Sequence, residues 1–277
     1  MSEYAVFHQP IWRILDNSGF VPPHDALASF AVDDALCTAI GRGQAPSTVR
    51  TWIHKKTVVL GIQDTRLPHL TKGIEFLEGE GWRVIVRNSG GLAVVLDEGI
   101  LNVSIVMNEK ANRLTIEKGY ETMVALVKEL LKPYRLAVET GEIVGSYCPG
   151  RYDVSVRGKK FAGISQRRLR GGAAIQAYLC VTGLGSKRAG WIKTFYELAG
   201  NEALERYPSI QPETMASLSE LAEMEISPSD LTKRLVSVLT GYGKTVRAGL
   251  NEREATLFSD YYKRIQTRNQ KALLNIV

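Results

Sequence analysis

Three short stretches of this 277-residue chain hold residue types able to do covalent chemistry. The first, R-N-S-G-G-L-A-V-V-L-D-E-G-I-L-N-V-S-I-V at 87–106, sets Arg87, Ser89, Gly90, Gly91 and Asn102 in an otherwise strongly β-forming run. Glycine inside such a run forfeits packing and costs backbone entropy, so something must gain from the bare backbone. Bare N–H groups beside an arginine suit an acyl carbonyl or an anion, although a bulged hairpin would use the same glycines merely to bend. The second stretch, S-Y-C-P-G-R-Y-D at 146–153, puts Cys148 in a loop beside Pro149 and Gly150 rather than on an apolar stripe. Most cysteines are small buried hydrophobes, and a loop position lets a thiolate meet a substrate. The third, G-K-K-F-A-G-I-S-Q-R-R at 158–168, feeds two lysines into a strand. Alternation sends Lys159 and Lys160 to opposite faces. One ammonium then points inward, where it needs a partner or a task, unless the segment is a surface hairpin with both lysines in water.

No familiar triad presents itself. The four histidines, His8, His24, His54 and His69, all lie far upstream of Cys148. A lysine ammonium is the more plausible activator, since a nearby cation favours the reactive thiolate. The other two cysteines are Cys37 and Cys180. An odd total without paired spacing argues against a disulfide framework and against a zinc site.

The net charge of +6 and isoelectric point near 9.2 favour acidic partners. With no Lys/Arg block, no finger signature and no aromatic platforms, nucleic acid is not expected, whereas an acidic protein surface fits the charge equally well. The amino terminus lacks a basic-then-apolar leader pattern and no apolar run approaches the ~18 residues of a membrane span. The expectation is a cytoplasmic protein with no membrane association.

The elements that must position these groups follow from periodicity. Residues 27–40 carry apolar residues at helical spacing, with Cys37 on the buried stripe. Strands are expected near 48–54, 57–62 and 83–87, a helix near 70–80, and further strands through Val106. Residues 115–132 form the clearest amphipathic helix, capped by Thr115 and ended by Pro133. A short strand near 136–139 precedes strands near 153–156, 159–167 and 173–181. Helices dominate from Trp191, ending in a basic one from about Asn251. Such a mixture, without regular βαβ alternation, predicts an α+β fold with a largely antiparallel sheet and packed helices. Residues 1–28 read as an N-terminal arm, 29–245 as the catalytic domain and 246–277 as a C-terminal helical extension.

Taken in order, the three segments resemble the lipoate and octanoate transferase/ligase family, related to biotin protein ligases. Residues 87–104 look like its Arg-Ser/Thr-Gly-Gly segment ending in Leu-Asn-(x)-Ser, and 152–167 like its Asp…Gly-(x)-Lys-Phe-Ala-Gly segment. The resemblance implies a class II synthetase-like catalytic domain over roughly residues 30–245. It implies Cys148 as the acyl-thioester nucleophile, and Lys160 as the cation that favours its thiolate and orients the acyl carbonyl. Arg87, Ser89, Gly90, Gly91, Asn102, Asp153 and Gly163 would contact substrate. Many ligases of the family carry a third glycine where Leu92 stands and a histidine where Leu96 stands. Their loss here implies an amidotransferase branch that needs neither ATP nor metal. Its donor would be the octanoylated glycine cleavage H protein, and its acceptors the lipoyl domains of 2-oxoacid dehydrogenase acyltransferase subunits. Transfer from octanoyl-acyl carrier protein is the alternative, followed by ATP-dependent ligation and by a non-catalytic lipoyl-domain binding module.

Overall fold

The strands read from the sequence assemble into two sheets in a computed structural model that describes residues 4–19, 26–200 and 207–274. The order is β1 (Ile11–Asn17), α1 (Leu27–Gly41), β2 (Thr48–Trp52), β3 (Thr57–Leu60), α2 (Leu70–Gly79), β4 (Arg83–Val86), β5 (Val94–Leu96) and β6 (Ile100–Asn108). There follow α3 (Ile116–Leu131), β7 (Glu139–Thr140), β8 (Val154–Val156), β9 (Lys159–Leu169), β10 (Gly172–Cys180) and α4 (Gly185–Ala199). The chain closes with α5 (Leu218–Ala222), α6 (Pro228–Thr240), β11 (Lys244–Arg247) and α7 (Glu252–Leu274).

The larger sheet runs β11-β1-β2-β6-β10-β9-β8-β7, and the smaller β4-β3-β5. Pairing is parallel where β1 meets β11 and β2 and where β3 meets β4, and antiparallel in the other ladders. The fold is therefore α+β with a largely antiparallel sheet. Thr115 caps α3 by accepting from the Lys118 N–H at 3.1 Å, and Pro133 falls in the 3-10 turn that follows the helix.

Register lines up the floor of a cavity. Trp52, Asn102, Tyr178 and Gly163 face one another across β2, β6, β10 and β9. Two residues along, Arg50, Ser104, Gln176 and Ser165 make a parallel row on the same face, because side chains repeat every second residue. Arg50, Ser104 and Gln176 of that row are buried and need partners. Asp33 of α1 supplies them, accepting from Arg50 Nη1 at 3.1 Å, Ser104 Oγ at 2.7 Å and Gln176 Nε2 at 2.7 Å.

Three elements depart from the sequence reading. Residues 11–17, expected within an arm, form β1 inside the large sheet, with Trp12 fully buried. Part of the remaining arm, with Pro22, Pro23 and His24, lies outside the described residues. β11 was not anticipated, because K-T-V-R is a short, largely exposed edge strand with no apolar alternation. α4 begins at Gly185, a turn and a half before Trp191, because Arg188 and Ala189 are buried by tertiary contacts rather than by composition.

Candidate active site

The loop 141–153 is irregular, and a single carboxylate holds it. Asp153 Oδ2 accepts from the N–H of Gly150 at 3.1 Å and of Ile143 at 3.3 Å, closing the loop on itself. Its other oxygen meets Lys160 Nζ at 2.9 Å. Alternation along β9 separates the two lysines as the sequence indicated, and the inward one is Lys160, fully buried while Lys159 is exposed. Burial pushes the Asp153 carboxyl up, and the Lys160 ammonium opposes that rise. The ammonium also donates to the carbonyls of Tyr147 at 2.9 Å and Cys148 at 2.8 Å, and to Ser146 Oγ at 3.3 Å. These bonds stabilise a non-glycine residue at positive φ, since Cys148 sits at φ +45°.

The sulfur itself faces the glycine segment. Cys148 Sγ lies 3.2 Å from the Leu92 backbone nitrogen and 3.6 Å from Arg87 Nη2, which also donates to the Leu92 carbonyl at 2.7 Å. The cation in contact with the sulfur is thus Arg87, whereas the lysine ammonium is directed at the loop's carbonyls. Gly91 explains its own identity: a Cβ there would stand 2.3 Å from Arg87 Nη2 and 3.1 Å from Cys148 Sγ, at φ +104°. Gly90 is different, since a Cβ there would meet nothing within 4 Å.

Cys148 opens onto a cavity of about 490 Å³. Its apolar wall includes Phe30, Trp52, Val59, Val94, Leu96 and Ile164, and its polar lining includes Arg87, Asn102 and Asp153. Tyr120 and Tyr152 also line it, stacked with ring centroids 4.5 Å apart. A largely apolar cavity bordered by a thiol can hold an acyl chain by burying its methylenes and present the carbonyl to sulfur and N–H donors.

Of the residues named from the sequence, Arg87, Gly90, Gly91, Asn102, Cys148, Asp153 and Gly163 border this cavity. Lys160 does not border it and reaches the site through Asp153 and the carbonyls of Tyr147 and Cys148. Gly163 makes room for a neighbour, as a Cβ would stand 2.6 Å from the Tyr178 ring. Asn102 Nδ2 donates to the Trp52 carbonyl at 3.2 Å and so helps fix that wall. Ser89 is buried but does not border the cavity. His54 is engaged by Ser29 at 3.0 Å, and burial beside Arg50 pulls its imidazole down to about 4, so it stays neutral. Cys37 and Cys180 are fully buried, and burial raises both thiols. The sequence reading missed the Leu92 N–H, which has no residue-type signature, and the Tyr120–Tyr152 pair, whose members lie on separate elements. Among the described residues no cluster of His, Cys, Asp and Glu is placed to hold a metal ion, and no helix is long and apolar enough to cross a membrane.

Comparison with known proteins decides the family. The profile of the lipoyl protein ligase A/B catalytic domain matches residues 25–240. The chain belongs to that family. Among ligase A/B relatives, an octanoyl-[GcvH]:protein N-octanoyltransferase of Geobacillus kaustophilus is 52% identical, over 98% of this chain and 96% of its own. A lipoyl-[GcvH]:protein N-lipoyltransferase of Listeria monocytogenes is 47% identical, over 98% of this chain and 99% of its own. Lipoate-protein ligase A bound with ATP shares the fold with a TM-score of 0.69 at 18% identity, covering 92% of this chain and 95% of that one.

Proposed function

We propose that this member of the lipoyl protein ligase A/B family is an octanoyl-[GcvH]:protein N-octanoyltransferase that works through a Cys148 thioester. The observation that carries the reading is the Cys148 sulfur at the mouth of an apolar cavity, against the Leu92 N–H and the Arg87 guanidinium. The relatives near 50% identity that carry this name support it.

The thiolate attacks the carbonyl carbon of octanoyl-lysine on the H protein, forming a C–S bond. The C–N bond breaks, and the donor lysine leaves as an amine after taking a proton. The ε-amine of a lipoyl-domain lysine then attacks the thioester, loses a proton and expels the thiolate. One amide is exchanged for another, so the cycle needs neither ATP nor metal. Arg87 and the Leu92 N–H stabilise negative charge on sulfur. Lys160 fixes the Cys148 carbonyl and, through Asp153, the loop that carries the nucleophile. The basic surface implied by the +6 charge suits acidic acceptor domains and acts mainly on encounter rate. A reducing cytoplasm would keep the thiol free.

The test is intact mass spectrometry of the enzyme incubated without ATP with octanoylated H protein, lipoylated H protein or octanoyl-acyl carrier protein. An octanoyl adduct on Cys148 from the first donor is expected, with no adduct in Cys148→Ala. Transfer to an apo lipoyl domain should fall on the order of 10⁴-fold or more in that variant. An adduct confined to Cys37 or Cys180, a preference for the acyl carrier protein donor, or a requirement for ATP would overturn the reading.

A further inference from the structure

We infer that Asp64, acting with Tyr196, is a positioning residue that holds the Arg87–Leu92 turn against the Cys148 sulfur, an assignment resting on Cys148 as acyl carrier. Asp64 is fully buried in a single 3-10 turn (Asp64–Arg66) that follows β3, and it does not border the cavity. Its Oδ2 accepts from the Gly61 N–H at 2.7 Å and its Oδ1 from the Tyr196 hydroxyl at 2.9 Å. The Tyr196 oxygen in turn accepts from the Ala93 N–H at 3.3 Å. Ala93 follows Leu92, whose N–H meets the sulfur. The carboxylate thus links the end of β3, the start of β5 and α4 by three hydrogen bonds.

The two turns are packed backbone against backbone. A Cβ on Gly61 would stand 1.8 Å from the Gly91 carbonyl oxygen, so the backbones at 61 and 91 are in direct contact. What fixes Gly61 therefore fixes Gly91, and with it the N–H that follows. Phe at 196 would fill the space but accept nothing from Ala93. Asn at 64 offers one acceptor oxygen and cannot take both donors.

Acid should undo the arrangement. The titratable or charged groups facing Asp64 are Tyr196 from α4 and Arg87 at the end of β4, and its other neighbours are the N–H groups of Gly61 and Ala93. Burial pushes the carboxyl up to about 6, with the N–H of Gly61, the Tyr196 hydroxyl, Arg87 and the N–H of Ala93 opposing. The Tyr196 phenol is driven up by burial and by Asp64, and stays protonated. A protonated carboxyl keeps both partners only by donating to the Tyr196 oxygen, which turns the phenol proton away and leaves that buried donor without its acceptor. Positioning and charge predict opposite outcomes. A nearby carboxylate acting only by its charge would disfavour the thiolate, so removing it would speed reaction at sulfur.

The experiment measures the rate of iodoacetamide alkylation at Cys148, assigned by peptide mapping, between pH 5 and 8. It uses the full chain as wild type, Asp64→Asn and Tyr196→Phe, each checked for folding by circular dichroism. In wild type the logarithm of the rate should steepen around pH 6 by up to about half a unit of slope, because protonating Asp64 lowers the rate about tenfold on top of the loss of thiolate. Asp64→Asn should react about tenfold more slowly at neutral pH and show no steepening around pH 6. Tyr196→Phe should be slower and carry its break at higher pH, because loss of the hydroxyl donor raises the carboxyl further. A wild-type rate and break in either folded variant, or faster alkylation in Asp64→Asn, overturns the assignment. Should Asp64→Asn not fold, Tyr196→Phe alone decides by the position of its break. Alkylation reports on the sulfur without acyl transfer. A missing octanoyl adduct on wild type alongside the expected alkylation profile would therefore sink the acyl-carrier reading and not this one.

Discussion

Near one end of the large sheet Arg13 of β1 is buried against Glu254 of α7, and near the other Lys160 of β9 is buried against Asp153. Both pairs are desolvated, yet their donors are spent differently. Arg13 forks onto both carboxylate oxygens at 2.7 Å and gives its remaining Nε to Thr48 Oγ1 at 2.9 Å. Those contacts join a strand and a helix from opposite ends of the chain, and a planar guanidinium suits so rigid a task. Lys160 gives one contact to its carboxylate and the others to Ser146 and to two main-chain carbonyls in an irregular loop. A compact ammonium can serve such divergent acceptors. One pair fastens the ends of the chain, and the other shapes the loop that carries Cys148. Burial alone does not distinguish them; the identity of the remaining acceptors does.

The sharpest way to break this comparison is Lys160→Met. It leaves Asp153 buried and unpaired, which should cost about 3–5 kcal/mol, and it frees the Cys148 loop, which should lower octanoyl transfer on the order of a hundredfold. The stability loss has a sign in pH. Without the ammonium the Asp153 carboxyl rises further, so the folded state prefers it neutral. The deficit against wild type should be smallest in acid and widen as pH rises through the new value. Melting temperatures from pH 4 to 8 would check this, and a deficit independent of pH would refute it.

Arg13→Met should cost stability of the same order, about 3–5 kcal/mol by denaturant titration, because Glu254 is left buried. Transfer per folded molecule should stay at the wild-type level. A loss of turnover comparable with Lys160→Met would erase the distinction between the two pairs.

A smaller effect is expected from Gly91→Ala, which attacks the same loop from the opposite side and touches neither pair. The positive φ and the Cβ placed against Arg87 should cost about 1–3 kcal/mol and slow octanoyl loading about tenfold. Normal loading kinetics by mass spectrometry would show that the close approach is unimportant. Lys159→Met is the baseline. Its side chain faces solvent, so stability and transfer should both stay within error of wild type. A marked loss there would mean that the exposed face of β9 takes part.

Much of this arrangement was legible before any fold was known. Alternation set Lys159 and Lys160 on opposite faces, the family resemblance picked Lys160 as the inward one, and α1, α3 and the central strands followed from apolar spacing, because side-chain period and secondary structure share one geometry. Cys148 stood out by its place in a loop of small residues. The glycine pair was visible as well, but its reason was not. Gly91 is required by Arg87 and by the sulfur of a residue 57 positions later, while Gly90 faces open space. β1 was hidden because a buried arginine interrupts its apolar run, and only Glu254 at the far end of the chain makes that burial affordable.

Residue type and local period thus determined most of the strands and helices, that one of two adjacent lysines turns inward, and which cysteine lies in a loop. Tertiary structure alone decided that Arg87 and the Leu92 N–H meet the sulfur, that Lys160 serves the loop carbonyls, and that Asp64 and Tyr196 brace the turn behind them. The physical reason is the reach of each force. Propensity and alternation act within a few residues, and their signal is written along the chain. A hydrogen bond between a backbone N–H and a thiol 56 residues away depends on the packing of every element between them.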